Sequence, residues 1–121
     1  MNQVIRVGAA QMEIIYNDYE GNLKRCEAML KEAALEKVEI LCFPEYFSTG
    51  VPPKAEPIPG PTIDFLKQKA KEYGIEIIGG TIVEERDNKL YNTCCYISKK
   101  GEILGKYSKI HLWLVVCRIN I

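Results

Sequence analysis

The sequence is short of histidine, of net charge and of long apolar runs, and each shortage removes a class of function. His111 is the single histidine in 121 residues, so a multi-histidine metal site is excluded. Sixteen basic residues balance sixteen acidic ones, which leaves no net field to draw nucleic acid or anionic lipid. The longest uninterrupted apolar run, Leu112 to Cys117, falls far below the ~20 residues of a membrane span. The five cysteines show no Cys-x-x-Cys spacing, since the one close pair, Cys94-Cys95, is adjacent; free thiols are the expectation. No glycine-rich nucleotide loop of either common type is present, which argues against a nucleotide-binding module. Met1-Asn2-Gln3 leads straight into strand-like residues with no basic segment or long apolar segment of a secretory leader, so the reading is cytoplasmic.

What is there suits one domain. The content is 47% apolar and 26% charged, ordinary for a globular protein. Val4 to Met12 reads as a first strand. Asn17 followed by Glu20 resembles a capping box, and Leu23, Cys26, Leu30 and Ala33 recur at helical spacing to about Lys37. Glu39 to Phe43 is apolar at every position after the first, which predicts a strand buried on both faces and stopped by Pro44. Residues 48–61 hold all but one of the six prolines and predict an irregular, stiff loop rather than a PxxP ligand. Thr62 is placed to cap a second helix, with Ile63, Leu66, Ala70 and Tyr73 on one face and Gly74 as its stop. A strand from Glu76 to Val83, weakened or bulged at Gly79-Gly80, a turn at Arg86-Asp87-Asn88, a return strand Leu90 to Ser98, and a third strand Glu102 to Tyr107 complete the order β-α-β-α-β-β-β. The class is α/β.

Two residues stand where chemistry is expected. Glu45 directly follows a buried strand and a proline, at the end of the strand where open α/β sheets place ligand-contacting groups. Flanked by Phe43, Tyr46 and Phe47, its carboxyl is expected to be partly desolvated, with its pKa drawn upward. The same position also suits a loop carboxylate that caps a backbone amide. Lys109 lies where the third hairpin strand runs into its loop; it reads either as a solvated surface charge or as a donor to a developing oxyanion. His111 reads as a packed or loop histidine before it reads as a general base.

Motif order narrows this choice. Gly8-Ala9-Ala10-Gln11-Met12, Asn22-Leu23, Phe43-Pro44-Glu45-Tyr46-Phe47-Ser48-Thr49-Gly50, Leu90-Tyr91-Asn92-Thr93 and Gly105-Lys106-Tyr107-Ser108-Lys109-Ile110-His111-Leu112 follow one another as in the nitrilase superfamily of carbon-nitrogen hydrolases. Residues 1–113 resemble the N-terminal part of that family's domain, and 114–121 read as a divergent tail. The resemblance implies a four-layer α-β-β-α sandwich, of which this chain carries about the first half. It implies a Glu-Lys-Cys triad in which Glu45 is the glutamate and Lys109 the lysine. A small amide, carbamoyl amide or nitrile is the implied substrate, and the implied chemistry needs no metal or organic cofactor. Beside Glu45, the residue types of Tyr46, Phe47 and Thr49 indicate a confined, partly aromatic pocket wall.

The nucleophile of that triad has no counterpart here. Only Cys117 follows Lys109, and it lies too close to it, in an apolar run rather than the electropositive setting a reactive thiolate needs. Cys26, Cys42, Cys94 and Cys95 read as packing residues. Ser108 stands where an arginine is common, and Val51 where an aromatic is. The ending reads as a frameshift or truncation would, so this chain alone is expected to be inactive. With one sheet face uncovered, it is expected to form a homo-oligomer or to serve as a non-catalytic partner-binding remnant.

Overall fold

The computed structural model describes residues 4–50 and 54–112, so Cys117, Val51 and the 114–121 tail lie outside the described residues. The elements are β1 (Val7–Ala9), α1 (Tyr19–Leu35), β2 (Ile40–Cys42), β3 (Ala55–Glu56), α2 (Pro61–Tyr73), β4 (Glu76–Ile78), β5 (Ile82–Arg86), β6 (Lys89–Ile97) and β7 (Ile103–Ser108). They form one mixed sheet ordered β1-β2-β4-β6-β5-β3, with β7 added alongside β6. β1, β2 and β4 run parallel through their helical crossovers, whereas β6 runs antiparallel to β4, β5 and β7.

Register assigns the two faces of the sheet. Leu41, Ile77, Ile97 and Ile103 align across β2, β4, β6 and β7. The first three are at most 4% exposed and join Cys26, Leu30, Ile63, Leu66 and Ala70 of the helices in a single core. Both helices therefore cover the same face. The opposite face carries Ala9, Cys42, Ile78 and Tyr96 in one rung and Cys94 beside Tyr107 in another. The described residues thus form two layers of the expected four, and among them the strands with apolar residues on both faces are packed by helices on only one.

Local sequence explains most of the boundaries. The stop at Gly74 holds: its φ of 65° lies in the left-handed region that glycine enters without strain. The cap of α1 is corrected from Asn17 to Asp18, whose carboxylate accepts from the Gly21 amide; Asn17 has φ 58° and bonds through its backbone to Thr49. The cap of α2 is corrected from Thr62 to Gly60, with Pro61 opening the helix. Glu56 reaches in from β3 instead, accepting from the Thr62 amide at 3.1 Å and its hydroxyl at 3.0 Å. A carboxylate at a helix N-terminus meets both orphan amides and the positive end of the dipole. The proline-rich loop accordingly contains a short strand, and the single strand expected over 76–83 is divided at Gly79-Gly80 into β4 and β5.

Candidate active site

The turn that bears Glu45 is held from three sides. After β2, the Phe43 amide donates to the Ile78 carbonyl at 3.0 Å, and the Pro44 carbonyl accepts from the Thr81 amide at 3.3 Å. The Tyr46 amide, at φ 52°, donates to the Thr81 hydroxyl at 3.2 Å. From the helix side, the fully buried Asn22 donates to the carbonyls of Ile15 at 2.8 Å and Ser48 at 3.0 Å. From below, Gly80 comes so close that a Cβ on it would lie 2.1 Å from the Pro44 oxygen. A buried turn with its polar groups satisfied in this way has little freedom to rearrange.

This frame presents the Glu45 carboxylate to β6 and to the end of β7. Its Oε1 accepts from Asn92 Nδ2 at 2.6 Å and from Lys109 Nζ at 3.0 Å. Lys109 is tied back to β6 by its own amide, which donates to the Asn92 carbonyl at 2.8 Å. The structure therefore brings the two sequence-predicted catalytic residues together across 64 positions of chain. It also adds Asn92, whose place in the run Leu90-Tyr91-Asn92-Thr93 gives no sign of a role at this site. Asn92 is 3% exposed, and its Oδ1 has no hydrogen-bond partner among the described residues.

The pKa expectation for Glu45 is reversed. Burial is the largest single influence and pushes the carboxyl up, but hydrogen bonds from Lys109 and Asn92 together with the Lys109 charge outweigh it, and the net direction is down. Such a group contributes stability above its unfolded pKa, and that contribution is lost as pH falls through the folded value. In Lys109→Met, two of the lowering influences vanish and burial persists, so the Glu45 carboxyl is expected to titrate at higher pH than in the parent chain. Carboxyl-carbon NMR across an acid titration reads this directly; an unmoved Glu45 midpoint would show that the ion pair does not exist in solution.

The other named residues fall in different places. Tyr46 is buried, and the Thr49 hydroxyl donates to the Gly50 carbonyl at 3.4 Å. Phe47 is corrected from a pocket wall to the core: it has no exposed surface and stacks on Phe43 with ring centroids 5.6 Å apart. His111 is exposed. Burial pushes the Cys26 thiol up to about 12 and that of Cys95 to about 11, and raises Cys94, so none of these three has thiolate character near neutral pH. Among the described residues no group of three His, Cys, Asp or Glu side chains is arranged to hold a metal, and no helix is long and apolar enough to cross a membrane.

A carboxylate paired with an ammonium and a carboxamide therefore sits at the carboxyl end of a parallel β unit, where open α/β sheets place ligand-contacting groups, with the Lys109 and Glu45 side chains 42% and 47% exposed. Comparison with known proteins gives this α/β protein its family. The sequence pattern described as carbon-nitrogen hydrolase matches residues 6–119, and the chain belongs to that family. It is 45% identical over 97 residues to omega-amidase NIT2-A of Xenopus laevis and 41% identical to omega-amidase NIT2 of Homo sapiens. Those matches take in 76% of this chain and 35% of each relative, so the chain spans about a third of their length. Among solved structures, Nit3 of Saccharomyces cerevisiae, a nitrilase superfamily member, superposes with a TM-score of 0.77 at 25% identity, over 88% of this chain and 44% of that one. XC1258 of Xanthomonas campestris, a CN-hydrolase superfamily protein, gives 0.81 at 24% identity, over 92% and 42%. The expected nitrilase-type α/β fold is thereby established for the part this chain covers.

Proposed function

We propose that this chain is the glutamate- and lysine-bearing part of a cysteine-dependent hydrolase that cleaves a small amide, with ω-amides the first substrates to test. The observation that carries the reading is the 3.0 Å contact of Lys109 with Glu45 at the end of β2, in a chain of this family. The likeness to omega-amidases supports an amide ahead of a nitrile. Free thiols at Cys26, Cys42, Cys94 and Cys95 accord with a cytoplasmic setting, which belongs to the same proposal.

The geometry suits each residue to one task. Glu45, ionised near neutral pH, accepts the proton of an incoming thiol as sulfur attacks the amide carbon. The carbonyl electron pair moves to oxygen, where the Lys109 ammonium offsets the charge. Glu45 then gives its proton to the leaving nitrogen and ammonia departs; a water that Glu45 deprotonates next attacks the thioester carbon, the C–S bond breaks, Glu45 returns the proton to the departing sulfur, and the carboxylic acid is released. Asn92 holds the carboxylate in place through these transfers. On this reading the thiol is supplied from outside the described residues.

A split-enzyme assay tests this. The chain is mixed with the remaining segment of an omega-amidase relative that bears the reactive thiol, and co-elution is established first. The co-eluting pair is expected to release ammonia from an ω-amide, with loss of ~10²-fold or more in Glu45→Gln, the range of general acid-base contributions. A co-eluting pair that releases none, or one indifferent to Glu45, would overturn the proposal.

A second reading, that of a self-associating, non-catalytic module, is favoured by one observation. Val7 is 68% and Tyr107 is 62% exposed on the sheet face opposite α1 and α2. Exposed apolar side chains on a sheet face of this kind suit an interface. The chain alone is expected to elute above monomer size and to shift toward monomer on dilution; a monomer at all concentrations would count against a homo-oligomer.

A further inference from the structure

Strands β6 and β7 carry a second polar cluster on the face opposite the one that holds Glu45. Glu84 of β5 is 2% exposed, and its Oε2 accepts from the Thr93 hydroxyl at 2.8 Å. Its Oε1 accepts from Lys106 Nζ at 2.5 Å, and Arg86 Nη1 stands 3.6 Å from Oε2. Thr93 Oγ1 also meets Ser108 Oγ at 3.0 Å. The Glu84 carboxyl is held below its ordinary value, because the Lys106, Thr93 and Arg86 contacts together outweigh burial, the largest single influence. An ionised carboxylate only accepts, and a threonine hydroxyl has one proton to give. That proton goes to Glu84, so Ser108 must donate to Thr93, and the chain Ser108 to Thr93 to Glu84 has a fixed direction.

Its members flank the residues that grip Glu45. Thr93 follows Asn92 and Ser108 precedes Lys109; Thr93 and Ser108 are register partners, and the Lys109 amide closes the rung on the Asn92 carbonyl at 2.8 Å. Successive strand residues point to opposite faces, so a rung anchored below has its neighbours aimed above. We propose that Glu84 is a positioning residue: through Thr93 and Ser108 it locks the β6–β7 rung that aims Asn92 and Lys109 at Glu45. Its catalytic consequence rests on the hydrolase reading, whereas the coupling between the two faces does not. A buried carboxylate kept only for stability would leave the Glu45 environment alone when its link to the rung is cut.

The test uses the 121-residue chain without turnover, reading the Glu45 titration midpoint by carboxyl-carbon NMR and folding by circular dichroism. Thr93→Val and Ser108→Ala sever the chain at different links, Thr93→Ser preserves it, and Glu84→Gln removes its anchor. Expected is an upward shift of the Glu45 midpoint in folded Thr93→Val and Ser108→Ala, in the direction of Lys109→Met, with the parent value kept in Thr93→Ser. Should Glu84→Gln fail to fold, these two variants still decide. A Glu45 midpoint unmoved in both, while Lys109→Met still moves it, overturns the positioning role and leaves the hydrolase reading standing.

Discussion

The Gly80→Ala variant is expected to lose about 2–5 kcal/mol of stability and to unfold at a clearly lower urea concentration than the parent chain. Two costs combine. Gly80 sits at φ 55°, where an L side chain costs roughly 1–2 kcal/mol. Its Cβ would also meet the Pro44 oxygen at 2.1 Å, Phe47 Cδ1 at 2.9 Å and the Phe43 oxygen at 3.0 Å. Two of those neighbours are backbone, which cannot swing aside, and forcing them apart adds roughly 1–3 kcal/mol. The displaced atoms belong to the turn that carries Glu45, so the Glu45–Lys109 contact should loosen with it. Gly105→Ala is the control, since a Cβ there has nothing within 4 Å and no positive φ. A Gly80→Ala midpoint equal to that of Gly105→Ala would show that the close approach does not exist.

Phe47→Ala is expected to cost more still on average, ~3–5 kcal/mol, through lost burial plus the cavity left beneath the same turn. Phe47 has no exposed surface, stacks on Phe43, and is the side chain on which Gly80 rests. Against the ~5–15 kcal/mol of a typical domain, such a loss is a large fraction of the whole. Phe47→Leu, which retains much of the volume, should lose distinctly less. Calorimetric or urea unfolding of the two variants checks the order; an equal, small loss in both would return Phe47 to the pocket wall and remove it from the core.

These two residues mark where sequence reasoning held and where it gave out. The pattern of apolar residues in 23–34 and 63–73 predicted both helices because the stripe of an amphipathic helix is a local property. Gly79-Gly80 announced a break in a strand, but not that its purpose is to let a proline carbonyl approach. Phe47 stands beside Glu45 among aromatic residues that suit a pocket wall; only packing shows that it faces the core. Glu84 carried no signal at all, since a glutamate in the run Val83-Glu84-Glu85-Arg86 looks like a solvated face. Its burial becomes intelligible only with Lys106 and Thr93 beside it.

Glu45 and Lys109 were legible because the motifs around them recur in a fixed order, and their residue types state the chemistry they can do. That much the sequence by itself determined, with the α/β class, both helices and the hairpin turning at Asp87-Asn88. Tertiary structure alone decided that an ammonium and a carboxamide meet the same carboxylate oxygen, and hence that the Glu45 pKa moves down rather than up. The reason is physical: desolvation can be guessed from a residue's neighbours along the chain, but a charge 64 positions away acts only through the distance at which folding leaves it.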